Sequence, residues 1–330
     1  MRAAAARGKH SAKQPSPACH TRPQTAVFDR RIQPMTHPSV QLPIRISTTP
    51  VAPSLPTWLE AGLESGAEHI TILAQRAYRL RAVQVDEPLL VVPLAGVKRV
   101  DVQGKQAEVA CGEFVMLHQA CRMGVENLPP LGDTLPYRAW VVSFPWRVVA
   151  LARTLLGAHH TSTARTAAAA NAFSCGDLTP LLPGVRAYLG ALAPTGEVPN
   201  AAQRDHAMLG LLLALARAGH DQFLQAHDPS VAARIRMLVA ADPGRSWTSG
   251  DFELALHTSG ATLRRRLVQE ETSLRAILRE TRLQHGLGLL QTSRRPLKSV
   301  ALACGYQSVA SFSRGFVAQF GVEPSQVANA

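Results

Sequence analysis

Two arginines, Arg265 and Arg314, occupy the same place in two copies of one short pattern. The first copy runs Ser259, Leu263, Arg265, Leu267 and the second Ser308, Phe312, Arg314, Phe316, with intervals of four, two and two residues in each and an offset of forty-nine. A guanidinium presents its N–H donors in a planar fork, so it can take the N7 and O6 of a guanine together or clamp a phosphate. Arg264, beside Arg265, can do the same. Such chemistry needs the arginine held in front of a rigid support. The spacing supplies one, because apolar residues four apart share one face of a helix while the arginine between them falls on the other. A serine heads each copy, and serine caps the free backbone donors of a helix start.

Each copy is preceded by another short apolar stretch and a break. Residues 251–256 lie ahead of His257 and Thr258, and residues 299–304 ahead of Gly305 and Tyr306. Helix, tight turn and second helix make a helix-turn-helix, whose second helix enters the DNA major groove. Between the copies, residues 273–291 carry Leu274, Ile277, Leu278, Leu283, Leu287 and Leu290 at helical spacing. Such a helix is roughly 28 Å long at ~1.5 Å per residue. That length approaches the ~34 Å between successive major-groove faces, so one chain can hold two readers of double-stranded DNA. Gly286 and Gly288 lie inside this rod at a cost of about 1 kcal/mol each, which makes it either weak or closely packed there.

Residues 228–327 resemble the DNA-binding domain of the AraC/XylS family of bacterial transcription regulators. The resemblance is carried by Trp247, Arg282 with Leu283, Ala301, the run GYQSVASFSRGF and the FGVEPS after it. It implies groove-facing positions at Ala261, Arg264 and Arg265 in the first recognition helix and at Val309, Ala310, Ser313 and Arg314 in the second. Val309 and Ala310 are apolar where relatives often carry polar readers, which points to thymine methyls or DNA shape. The sequence departs from the family pattern at Glu253, where a small residue is usual, at His257, where glycine is common, and at Val327 with Ala328, which replace a tyrosine-arginine pair. The resemblance further implies a sequence-specific regulator acting on RNA polymerase, more commonly as an activator, without catalysis or cofactor of its own.

Charge agrees with a polyanionic partner. The net charge of +12 divides into +7 over residues 1–50, −1 over 51–228 and +6 over 229–330, so two basic ends flank a nearly neutral middle. No apolar run approaches the ~20 residues of a membrane span, and no long basic amphipathic helix is evident. The five cysteines, Cys19, Cys111, Cys121, Cys175 and Cys304, form no close pair and read as reduced thiols of a cytoplasmic protein. Residues 1–50, rich in Pro, Ala, Arg, Ser and Thr, read as a disordered basic tail, and Met35 is a candidate start.

The middle of the chain changes period. A short helix at 57–66 is followed by strands at 79–85, 89–94, 98–102, 106–110, 114–118 and 137–144, with turn signals at 103–105 and 111–113. Strands this short and closely spaced predict an antiparallel sandwich or small barrel over about 67–146, loosely similar to the cupin-like sensor of the same family. Its histidines, His69 and His118, lack the clustered spacing of a metal cupin, and the adjacent His159 and His160 point apart on any regular backbone, so no metal site is expected. A pocket for a small-molecule effector fits such a barrel. Helices follow over about 147–226: one from Pro145 to Leu156, and one capped by Asn200 from Ala201 to Ala218 whose wide apolar face is either buried or a homodimer surface. Asp228 and Pro229 open a further helix to Ala241.

The expected fold is therefore α+β and multidomain: a tail at 1–50, a cupin-like antiparallel sensor or dimerisation domain with accessory helices at 51–226, and an all-α domain at 228–330. In the last, helix-turn-helix motifs at about 248–269 and 296–319 are joined by a linker helix. Two other function classes are weighed against a regulator: a barrel enzyme carrying a DNA-targeting module, and a protein that coats DNA by charge alone.

Overall fold

The computed structural model describes residues 55–65, 70–132, 135–157, 172–193, 199–225 and 229–329. The tail with Met35 and Cys19, His69, the His159 and His160 pair, and Asp228 lie outside them. Residues 49–330 form one compact unit.

Helix α1 (Thr57–Ser65) precedes β1 (Ile70–Ala74), β2 (Tyr78–Val85), β3 (Leu89–Ala95), β4 (Val97–Val102), β5 (Lys105–Ala110), β6 (Glu113–Leu117), β7 (Cys121–Leu128) and β8 (Tyr137–Ser143). Then come α2 (Trp146–Gly157), β9 (Phe173–Asp177), α3 (Leu182–Ala191) and α4 (Ala201–Arg217). The strands form two sheets, ordered β1-β8-β3-β6-β9 and β2-β7-β4-β5. All pairs are antiparallel. Between β4 and β5, Gln103 and Gly104 have φ of 55° and 81°, as a two-residue turn needs to match the twist of its strands.

The two sheets explain two kinds of strand sequence. In the four-stranded sheet one face meets solvent, so β2 and β4 alternate buried and open residues. The five-stranded sheet is covered on both faces, so β3, LLVVPLA, is buried almost throughout. Its Leu90, Val92, Phe114, Met116, Trp140 and Val142 pack on α1 to α4, while Val91, Val115, Ala139 and Val141 face the other sheet. Asn200 caps α4 with Gln203 reciprocating, and Leu211, Leu212 and Leu215 are buried in the core shared with α1 to α3.

Three strands, β1, β7 and β9, and helix α3 add to the expected elements. Strand β7 carries Arg122, Gly124 and Glu126 on its outer side, which hides its period of two behind charges and a glycine. Strand β9 arises within the stretch expected to be helical and pairs with β6 at the sheet edge. Only that pairing makes its FSCGD sequence extended.

Seven helices complete the chain: α5 (Val231–Ala241), α6 (Ser249–Ala255), α7 (Gly260–Gln269), α8 (Leu274–Thr292), α9 (Leu297–Ala303), α10 (Val309–Phe320) and α11 (Pro324–Val327). Ser230 caps α5, two residues beyond the expected Asp228, and the Glu270 carboxylate accepts from the N–H of Val231 at 3.0 Å and of Ala232 at 2.9 Å. The first motif has its own core of Ile235, Val239, Phe252, Leu263, Leu267 and Ile277. The second does not. Leu283, Leu287, Val300, Phe312, Phe316 and Phe320 are continuous with the core between the sheets.

Candidate nucleic-acid interface and the cavity behind it

Each recognition helix is built the same way. Ser259 Oγ accepts from the N–H of Thr262 at 3.3 Å to start α7, and Ser308 Oγ from that of Ser311 at 3.2 Å to start α10. Leu263 and Leu267 bury the back of α7, and Phe312 and Phe316 that of α10. The turns match too. His257 and Gly305 take positive φ, 49° and 76°, and the next residue closes the scaffold helix: Thr258 N–H donates to Glu253 O, and Tyr306 N–H to Ala301 O, both at 3.0 Å. The scaffold helices repeat at forty-eight residues and the recognition helices at forty-nine, so the second turn is one residue longer.

The departures at Glu253 and His257 find their accommodation here. Glu253 Oε1 accepts from Ser249 Oγ at 2.8 Å and lies against Gly260, where an added Cβ would stand 2.6 Å from it. A large residue on α6 is matched by the smallest on α7; the corresponding pair in the second motif is Ala301 and Val309. His257 adopts the left-handed conformation that Gly305 supplies more readily. Trp247 stacks on Phe252 with centroids 5.1 Å apart and donates from Nε1 to Asp242 O at 2.9 Å. Arg282, on α8, donates to Pro243 O and Arg245 O, both at 2.9 Å, tying the linker helix to the loop before α6.

On α7, Ala261, Arg264 and Arg265 are exposed. On α10, Ala310 and Arg314 are exposed, and Arg314 Nη2 donates to Ser311 Oγ at 3.3 Å. Ser313 is half-buried, and so is Val309, which packs against the shared core. Arg266 joins Arg264 and Arg265 as a third exposed cation on α7.

A cavity of about 320 Å³ lies between the sheets and helices α5 and α8. Leu80, Val83, Val91, Met123, Val125 and Val141 line it from the strands; Arg236, Met237 and Ala240 do so from α5, and Gln284, Leu287 and Gln291 from α8. Asp86 is ion-paired with Arg236, and Glu87 accepts from Ser143 Oγ at 2.9 Å; burial raises the pKa of both carboxyls. Lys98 differs. It is 3% exposed, its Nζ donates to Asn127 Oδ1 at 2.9 Å, and no described carboxylate pairs with it. Burial pushes its pKa down to about 8. A pocket in the barrel is expected, but the sequence does not identify the residues that line it.

Among the described residues no cluster of His, Cys, Asp or Glu could hold a metal ion, and no helix is long and apolar enough to cross a membrane. Burial raises the thiols of Cys121 and Cys175 to about 11 and that of Cys304 to about 12, far from a reactive thiolate.

Residues 254–330 match the sequence profile of a helix-turn-helix domain. Over 98 residues the chain is 32% identical to the HTH-type transcriptional regulator YdeO of Escherichia coli K12, covering 30% of this chain and 38% of that one. It is 31% identical over 98 residues to GadX of the same strain, covering 30% and 36%. The chain thus matches less than two-fifths of the length of these relatives. Solved structures extend the likeness to the whole fold. ToxT from Vibrio cholerae superposes with a TM-score of 0.52 at 13% identity, over 80% of this chain and 99% of that one. ToxT bound to (E)-4-(8-methylnaphthalen-1-yl)but-3-enoic acid gives 0.50 at 15% identity, over 78% and 97%. The paired helix-turn-helix motifs and the sequence of residues 254–330 thus agree in giving this chain a helix-turn-helix domain like those of these transcriptional regulators.

Proposed function

We propose that the protein is a sequence-specific, DNA-binding transcription regulator whose two helix-turn-helix motifs read adjacent major-groove segments. The observation that carries this reading is the repetition of cap, buried pair, left-handed turn and exposed arginine in α6–α7 and α9–α10. Ala261, Arg264, Arg265, Ala310 and Arg314 are its base and phosphate contacts, with Val309 and Ser313 at the inner edge of the second helix. Residues 51–226 act as the sensor and 228–330 as the reader, RNA polymerase is the downstream partner, the cytoplasm the compartment, and the chain performs no catalysis. A second copy of the chain is the partner for the outer edge of α4, where Leu209 and Leu213 stay half-buried. Genome-wide recovery of bound fragments supplies the site. Affinity for that site and for scrambled duplexes at fixed salt then tests the reading: a ratio on the order of 10³ or more supports it, and a ratio near one means coating by charge.

The cavity is the effector site of this regulator, and the ligand class that fits it is an apolar molecule bearing one anionic head. Its walls are largely aliphatic, and Lys98 holds a buried charge without a carboxylate partner. ToxT, whose fold this chain shares, is known with an aromatic carboxylic acid bound. Calorimetry with decanoate and with 1-decanol tests the class. Decanoate should bind at least tenfold more tightly, and Lys98→Met should erase the difference; equal affinities would remove the anionic head from the proposal.

A further inference from the structure

From Lys98 a file of buried polar groups runs to the far end of the linker helix. Lys98 Nζ donates to Asn127 Oδ1 at 2.9 Å, Asn127 Nδ2 to Tyr78 Oη at 2.9 Å, and Gln291 Nε2 to the same Oη at 2.8 Å. Lys98, Asn127, Tyr78 and Gln291 are 3%, 0%, 6% and 7% exposed, so water does not substitute for any member. The file crosses β4, β7 and β2 and ends in the last turn of α8. There the carbonyls of Leu290 and Gln291 accept from Asn329 Nδ2 at 3.3 and 2.8 Å, and residues 293–296 lead into α9. Gln291 therefore stands where the linker helix hands over to the second helix-turn-helix.

We propose that Tyr78 and Gln291 are positioning residues through which the state of Lys98 sets how the second helix-turn-helix leaves α8. The proposal rests on the reading of the cavity as an effector site. As the groups stand, the ammonium holds the Asn127 amide with its oxygen toward Lys98 and its NH₂ toward Tyr78. An anion that takes over the ammonium releases that amide, which can turn and offer its oxygen to the phenol. The Tyr78 hydroxyl then donates to Asn127 while its oxygen keeps Gln291 Nε2 as donor, and the Gln291 bond shifts as the hydroxyl turns. Because every member is buried, a change at one end cannot be absorbed by solvent and is passed to the other.

The test uses the full-length protein, with decanoate as the probe, and follows backbone hydrogen exchange at residues 288–293 together with DNA affinity. Lys98→Met should change exchange there by fivefold or more in the otherwise native chain and by less than twofold in a Tyr78→Phe background, because the file is already cut. Decanoate should bind Tyr78→Phe within twofold of the native affinity yet leave its exchange and DNA affinity unaltered. Gln291→Met cuts the opposite end and should likewise hold the Lys98→Met effect on DNA affinity below twofold, which guards against a folding defect in Tyr78→Phe. An effect of Lys98→Met that persists undiminished in Tyr78→Phe overturns the proposal, as does a full decanoate response in that variant. If decanoate binds nowhere while Lys98→Met and Tyr78→Phe remain non-additive, the positioning role stands and the ligand class falls.

Discussion

The ring of Phe312 on α10 fills the space that a side chain on Gly286 of α8 would need. A Cβ at Gly286 would meet Phe312 Cε2 at 2.6 Å and Cζ at 2.8 Å, with Cys304 Sγ at 3.1 Å. The linker helix and the second recognition helix thus touch through a missing side chain. Of the two alternatives open for a glycine-bearing rod, weakness or close packing, close packing holds at Gly286.

Gly288, two residues on, faces open space, with nothing within 4 Å of an added Cβ. The same substitution should therefore act with opposite sign at the two positions. Gly286→Ala should destabilise by about 1–3 kcal/mol, since Phe312 is fully buried and cannot retreat. Gly288→Ala should stabilise by up to about 1 kcal/mol through helix propensity. Urea denaturation of the two variants checks the contrast, and two shifts of the same sign would contradict it.

Arg265→Ala should lose roughly 1–3 kcal/mol on the preferred DNA site, with the loss concentrated at particular base pairs. Arg314→Ala should do the same at the other half of the site. Titrations against single-position duplex variants at fixed salt report this. A loss equal on all sequences would make either arginine a phosphate contact.

Lys98→Met should raise stability at pH 7 by on the order of 1–3 kcal/mol, because a buried charge without an opposite charge gives way to an apolar side chain of similar volume. The pH dependence has a definite sign. The folded pKa, about 8, lies below the ordinary lysine value of 10.5, so the unfolded chain binds the proton more tightly. The native protein therefore carries the burial penalty in full below pH 8 and regains stability as pH rises toward 10.5. Thermal melts from about pH 7 to 10 should show this rise in the native chain and a smaller one in Lys98→Met.

His118 sets a window on the acid side. Its Nε2 is 2.9 Å from Ser174 Oγ, which is 2.8 Å from His220 Nδ1, while His118 Nδ1 is buried without a partner. Burial, with His220 as a smaller cause, lowers its pKa from 6.5 to about 4. A histidine depressed in the folded state contributes stability that is present above pH 6.5 and lost as pH falls toward 4, on the order of 3 kcal/mol in all. Denaturation midpoints between about pH 7 and 4 should drop in the native chain and flatten in His118→Gln, which can still bond Ser174. An equal slope in the variant would place the acid sensitivity elsewhere.

Much of the helix-turn-helix region was legible from the sequence because its determinants are local. A serine cap, two apolar residues four apart and a cation between them act within a single helix, so spacing alone locates α7 and α10. The caps and buried pairs at Ser259, Leu263 and Leu267 and at Ser308, Phe312 and Phe316 follow that spacing. Elements whose state depends on a distant partner were less legible. Strand β9 is extended because β6 pairs with it, and Gly260 matters because Glu253 of the preceding helix leans on it.

The chain by itself determined that there are two helix-turn-helix motifs, what caps and anchors them, and which arginines their helices present, since a helix is specified by neighbours three and four residues away. Only the tertiary structure decided that the second motif shares its core with the sheets, that Lys98 is buried beside α5 and α8, and that Tyr78 meets Gln291 across more than two hundred residues of chain. Those facts depend on faces brought together by the burial of apolar surface, and no interval in the sequence records which face will meet which.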